Sequence, residues 1–166
     1  MTRQHHHGND SASVRAGIVT VSDTRVEADD TSGQRIRAAL AEAGHQISFY
    51  RIVKDEPTQI VELISSPPQP AEVIITNGGT GLAPRDTTFE AVSSLIEREM
   101  PGFGELFRML SYEQIGAAAM LSRATAGIAG SSVLFCLPGA TKAVDLAMTK
   151  LIIPQVRHIV GLVRHP

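Results

Sequence analysis

Apolar positions along this chain follow two rhythms. Short unbroken runs rich in β-branched residues occur at Arg15–Val21 (RAGIVTV), 47–53 (ISFYRIV) and 72–76 (EVIIT), and they predict buried strands. Between them the spacing turns helical. Ile36, Ala39, Leu40 and Ala43 share one face and Gly44 closes the helix, while Pro57–Ser65 predicts a second helix with Pro57 in its first turn. Pro67, Pro68 and Pro70 then form a loop. Thr87 and Glu90 have capping-box spacing ahead of Ala91, Val92, Leu95 and Ile96, which predicts a helix ending at Pro101 and Gly102. The segment GFGELFRMLS reads as a loop or short helical turn, and YEQIGAAAMLSRA as a further helix. In TAGIAGSSVLFCLPG two apolar arms flank Gly130 and Ser131, as in a hairpin or strand pair. The long helical pattern of 141–164 must kink or break at Pro154.

Strands alternating with helices predict an α/β domain whose largely parallel sheet lies between helical layers. Ligands of such sheets bind beyond the carboxyl ends of the strands. Three loops gather there: Ser22 and Asp23 after the first strand, 77–86 after the third, and 137–141 after the last. Lys54 and Asp55 follow the second strand at the same end. With no internal repeat and no long linker, residues 14–166 read as one domain behind a flexible tail, 1–13.

Composition narrows the function classes. The formal net charge is -2, so no basic stripe points to nucleic acid, and the 4% of aromatic residues argues against base stacking. One cysteine, Cys136, excludes an internal disulfide and fits a reducing, cytoplasmic setting; it lies in an apolar strand and reads as an inert side chain. The N-terminal residues contain no apolar run of the secretory kind. No segment offers the roughly 18 apolar residues of a membrane span. His5, His6 and His7 do not close a tetrahedral metal site without partners elsewhere.

Chemistry concentrates in the stretch after the third strand, NGGTGLAPRD, where Gly78, Gly79 and Gly81 are spaced G-G-x-G. Glycine lets backbone turn through positive φ and approach a ligand, and successive N–H groups in such a turn make a concave anion site. Asn77 and Thr80 add side-chain hydrogen bonders, and a helix N-terminus follows near Thr87. Phosphate is the anion this favours. Neither G-x-x-x-x-G-K-[ST] nor a G-x-G-x-x-G after the first strand is present, which excludes a Walker loop and argues against a nicotinamide-dependent dehydrogenase. Asp86 is either a helix cap or a carboxylate that holds Mg²⁺ against ligand phosphates, with Arg85 free to pair with it; Asp55 is a cap for the helix at Pro57, a second metal carboxylate, or both.

These segments together resemble the MoaB/MogA family of molybdenum cofactor biosynthesis proteins, and its MoaB branch in particular. The resemblance rests on TVSDT, VKDE, VIITNGGTGLAPRD, EREMPGFGELFR, SRATAGI and FCLPGATKAV, in that order, and runs from about Gly17 to about Val156. It implies a three-layer α/β/α fold, assembly as trimers or dimers of trimers, and binding of molybdopterin. Catalytic members adenylylate the molybdopterin phosphate with Mg-ATP and release pyrophosphate, and the product goes on to a partner protein for metal insertion. The family's acidic positions fall on Asp55 and Asp86, as catalytic and Mg²⁺-holding residues. Its binding motifs fall on Gly78, Gly79, Thr80 and Gly81, on Ser122 and Arg123, and on Leu137, Pro138 and Gly139, with Ser22 and Asp23 lining the same cleft. Asn77 stands where Thr is usual and Phe89 where Pro is common. A non-catalytic molybdopterin carrier of the same pathway is the rival reading.

Several of these residues also have plain structural readings. Ser22 and Asp23 end a strand, Arg123 forms a salt bridge, Gly102 and Gly104 set turns, Phe103 packs, Glu105 and Arg108 pair across one helical turn, and His45 has no catalytic role.

Overall fold

The computed structural model describes residues 12–164; most of the expected tail and the His5–His7 tract lie outside them. Six strands form one sheet in the order β2-β1-β3-β6-β5-β4, with β1 Arg15–Val21, β2 Gln46–Val53, β3 Val73–Asn77, β4 Arg98–Glu99, β5 Thr125–Ala129 and β6 Ser132–Leu137. β2, β1, β3 and β6 run parallel; β5 is antiparallel to β6, and β4 to β5. The chain steps from β1 outward to β2 and then back across to β3, so a topological switch point lies between β1 and β3. Their carboxyl ends frame the crevice that such a reversal opens.

Helices cover both faces, which is why the parallel strands read as unbroken apolar runs. On one face Ala16, Ile18, Val73, Ile75, Val133 and Phe135 pack against α1 (Thr31–Glu42), α4 (Pro101–Ile115) and the C-terminal helices α5 (Thr141–Ala147) and α6 (Ile153–Arg164). On the other, Val19, Ile74, Leu134 and Cys136 meet Ile60 and Ile64 of α2 (Pro57–Ser65) and Ala91 and Val92 of α3 (Thr88–Leu95). The architecture is three-layer α/β/α.

Several expectations about the second half change. The helix begun near Thr87 ends at Leu95, and Pro101 opens α4 instead of closing α3, because proline is favoured in a first helical turn. The segment GFGELFRMLS is therefore helical. Gly104 is no turn residue: a Cβ there would stand 2.8 Å from the Ala124 carbonyl, so the missing side chain lets α4 lie against β5. The helix expected over YEQIGAAAMLSRA is the end of α4 followed by a 3₁₀ stretch, Gly116–Leu121. Of the kink or break expected, the last helix shows a local distortion and no break at Pro154. A π turn at Met148–Ile152 widens the helix just before it, where an α-helical turn would drive the ring into the preceding carbonyl.

By length and composition alone the run Thr141–Arg164 is apolar enough to cross a membrane, contrary to the sequence expectation. Here Val144, Ala147, Met148, Ile152, Val156 and Val160 face the core of the domain.

Candidate functional site

The register of the parallel strands brings four loops to one rim. Val21 is level with Val53, Thr20 with Asn77, and Asn77 with Leu137. The residues that follow, Ser22 and Asp23, Asp55, Gly78 to Gly81, and Pro138 and Gly139, therefore surround the switch point. Because β5 runs the other way, its start lies at this same rim and delivers Ser122 and Arg123 there.

The glycine turn is held tightly at its root. Gly78 adopts φ +95° and Gly79 φ +65°, the left-handed region that only glycine enters freely. A Cβ on Gly78 would lie 2.3 Å from the Val21 carbonyl oxygen, so β1 and the turn touch backbone to backbone. The Gly78 N–H donates to Leu137 O at 3.1 Å, and the Gly79 carbonyl accepts from Thr88 N at 2.9 Å. Gly139 comes close enough that a Cβ on it would meet Gly78 Cα at 3.1 Å.

Asn77 does not face this cleft. It is fully buried, and its amide donates to Thr20 Oγ1 at 2.9 Å. Thr20 in turn donates to Asp30 Oδ2 (2.5 Å), which also accepts the Tyr50 hydroxyl (2.6 Å). Asp30 caps α1 through the Gly33 N–H, 2.9 Å. Burial, then the Asp30 carboxylate, pushes the Tyr50 hydroxyl far above its ordinary range, so it remains a donor. Ser32 Oγ donates to Gly139 O at 2.8 Å, and Thr31 and Thr141 share a hydroxyl contact of 2.8 Å. This network ties the head of α1 to the turns after β3 and β6. The polar Thr20 inside an apolar strand and the N-cap signal D-T-S-G were its traces in the sequence.

The two acidic positions differ. Asp55 is buried, and its Oδ1 accepts both the backbone N–H (3.0 Å) and the hydroxyl (2.6 Å) of Thr87. It does not cap α2 as one reading expected; it holds Thr87, the residue that precedes α3. The capping box expected within α3 is not made: Thr87 turns to Asp55, and Glu90 pairs with Arg123. The second oxygen of Asp55 lies against Gly79, where a Cβ would come within 2.3 Å of it and 2.2 Å of Thr88 Oγ1. That Thr88 hydroxyl is buried without a hydrogen-bond partner among the described residues. Asp86 is half-buried, and its Oδ2 stands against Gly81, 2.6 Å from where a Cβ would be. Each carboxylate thus presents one oxygen to a glycine of the turn. Two carboxylate oxygens on hard-oxygen chemistry suit Mg²⁺, which takes its remaining ligands from phosphates and water.

Arg85 does not pair with Asp86. It forks onto Asp23, with Nε to Oδ2 and Nη2 to Oδ1 both at 2.9 Å, and reaches Glu56 at 3.0 Å. These bonds, followed by the Asp55 N–H, hold the Asp23 carboxyl below its usual range. Ser22 Oγ accepts from the N–H groups of Thr24 and Arg25, shaping the turn after β1. Arg123 donates to the carbonyls of Thr80 (3.0 Å), Gly81 (2.6 Å) and Asp86 (3.2 Å), pairs with Glu90, and lies over the Phe89 ring at 4.9 Å. Arg108 turns to the carbonyls of Ser122 and Ala124 rather than to Glu105. Phe103 is a packing residue, edge-on to Phe135 at 5.2 Å.

Residues 17–158 match the family model described as "Probable molybdopterin binding domain". The molybdenum cofactor biosynthesis protein B of Bacillus cereus is 52% identical over 149 residues, 88% of either chain. A crystal structure of a molybdenum cofactor biosynthesis protein B superposes with a TM-score of 0.90 at 49% identity, covering 93% of this chain and 98% of the other. The tungsten cofactor synthesizing protein MoaB of Pyrococcus furiosus superposes at 0.82 with 36% identity, covering 92% and 98%.

Proposed function

The chain belongs to the MoaB/MogA family of molybdenum cofactor biosynthesis proteins, on its MoaB branch, and on that premise we propose that it binds molybdopterin and adenylylates its terminal phosphate with Mg-ATP. One observation carries the reading: Asp55, after β2, and Asp86, at the far end of the loop after β3, each turn an oxygen toward the glycine turn. An oxygen of the molybdopterin phosphate attacks the α-phosphorus of ATP, the new P–O bond forms, the α–β bridge breaks, and pyrophosphate leaves. Such transfer needs alignment and charge neutralisation more than covalent help. Mg²⁺, when bound, supplies that neutralisation, and Asp86 and the free oxygen of Asp55 would hold it. The Gly78 N–H is held by Leu137 O, and the N–H groups from Gly79 onward in the turn bind phosphate oxygens. Ser22, Asp23, Pro138 and Gly139 wall the cleft, and the groove lined by Phe89, Glu105, Arg108 and Ser122 takes the pterin. Asn77 serves by fixing the turn from below through Thr20.

A second reading, a molybdopterin carrier without catalysis, draws on the Thr87 bonds of Asp55, which give that carboxylate a structural use. The two part on product formation. Purified protein with molybdopterin and Mg-ATP yields adenylylated pterin if the first is right, and binding without product if the second is.

The assembly we propose is a homo-oligomer, a trimer or dimer of trimers, supported by the exposed apolar side chains Leu106, Met109, Tyr112 and Ile115 on α4 and Met120 and Leu121 beyond it. A reducing, cytoplasmic setting accords with the single buried Cys136. The product passes to a molybdenum-insertion partner; neither nucleic acid nor membrane is among the partners proposed.

A further inference from the structure

Arg123 stands at the rim of a site proposed to bind anions, yet its charge is already engaged. Four of its five N–H donors are taken, by three main-chain carbonyls and by Glu90, and its plane rests on Phe89. The three carbonyls belong to Thr80, Gly81 and Asp86, all within the loop that follows β3.

In a trans peptide the C=O and the next N–H point in opposite directions. Wherever Arg123 draws a carbonyl toward itself, the N–H of the following residue is turned to the far side. The Asp86–Thr87 peptide demonstrates this: its carbonyl accepts from Arg123, and its N–H donates to Asp55 on the other side. By the same geometry the N–H groups of Gly81 and Leu82 face away from Arg123. Neither donates to any acceptor among the described residues.

We infer that Arg123 is a positioning residue: by holding the carbonyls of Thr80 and Gly81 it aims the Gly81 and Leu82 N–H groups outward as the anion-binding face of the turn, and it does not itself contact the phosphate. The inference rests on the phosphate-binding reading of that turn. It also gives Phe89 a purpose, since the ring supports the guanidinium from the first turn of α3 and Glu90 neutralises it there.

The test is titration of ¹⁵N-labelled protein with inorganic pyrophosphate, following the Gly81 and Leu82 amide resonances. In the wild type both shift on binding. Arg123→Lys keeps the charge but cannot hold three carbonyls at once, and it weakens binding about tenfold or more while the two amide shifts collapse. Glu90→Gln keeps the carbonyl bonds and leaves affinity within about twofold, as expected of a partly exposed charge pair. Phe89→Leu removes the support beneath the guanidinium, and because pyrophosphate has no pterin to place in the groove that Phe89 also lines, its intermediate loss reports the support alone and keeps the test open if Arg123→Lys fails to fold. Wild-type shifts retained in Arg123→Lys, with Glu90→Gln binding more tightly, would make Arg123 a direct phosphate ligand and overturn the inference alone. No amide shift in the wild type would overturn it together with the phosphate reading of the turn.

Discussion

The carboxylate of Asp55 takes both the N–H and the hydroxyl of Thr87, at 3.0 and 2.6 Å. Asp86 is the residue just before Thr87, so the two acidic positions are joined through a single residue. One of them is built into the fold; the other is not.

That difference separates the two carboxylates by mutation. Asp55→Asn weakens two charge-assisted bonds in a buried setting and costs about 1–3 kcal/mol of stability, read by urea denaturation, along with activity. Asp86→Asn, whose carboxylate makes no protein hydrogen bond among the described residues, leaves stability within about 0.5 kcal/mol and reduces turnover by orders of magnitude. Equal stability losses in the two variants would show that the roles are not divided this way.

At Gly79 backbone conformation and space act together. Gly79→Ala must sustain φ +65° and place a methyl 2.3 Å from Asp55 Oδ2 and 2.2 Å from Thr88 Oγ1. The conformational part alone is about 1 kcal/mol, and the clash adds to it. Gly139→Ala meets only Gly78, at 3.1 Å from its Cα and 3.7 Å from its N, in an ordinary conformation, and is the milder change. Thermal unfolding of the pair ranks them, with Gly79→Ala lower.

Much of this arrangement is legible in the residues, and the exceptions share a cause. The strand runs are readable because parallel strands covered on both faces are apolar throughout. α4 is not, because Pro101, Gly102 and Gly104 look like breakers until β5 is seen lying against Gly104. The capping box at Thr87 and Glu90 has the right local spacing, yet each side chain is claimed by a residue distant in the chain, Asp55 and Arg123. Arg123 could be marked by its motif but not assigned its partners, because an antiparallel strand carries it to the glycine turn. Local rules describe local contacts; the site is made of long-range ones.

His45 sets a pH dependence. It is buried, its Nδ1 accepts from the Val14 N–H at 3.2 Å, and burial followed by the Arg157 guanidinium holds its imidazole below the ordinary 6.5. The fold accommodates the neutral ring, so the unfolded chain binds the proton more readily. Its contribution is complete above about pH 6.5 and is lost as pH falls from there through the lowered folded value. Denaturant midpoints compared at pH 7.5 and 5.5 fall for the wild type and fall less for His45→Asn.

Cys136, on β6, is sealed in the core between the sheet and helices α2 and α3, and burial pushes its thiol up to about 12. Iodoacetamide at pH 8 leaves the native protein unmodified and labels one thiol per chain in urea, as mass spectrometry would report. Rapid labelling of the native protein would mean that this side of the sheet opens.

The most direct measurement is the stoichiometry of pyrophosphate released to adenylylated molybdopterin formed when the purified protein is incubated with molybdopterin and Mg-ATP, with Asp86→Asn alongside. The account predicts one pyrophosphate per adenylylated pterin in the wild type and almost none of either in the variant. Tight molybdopterin binding with neither product in the wild type would contradict it and leave a carrier.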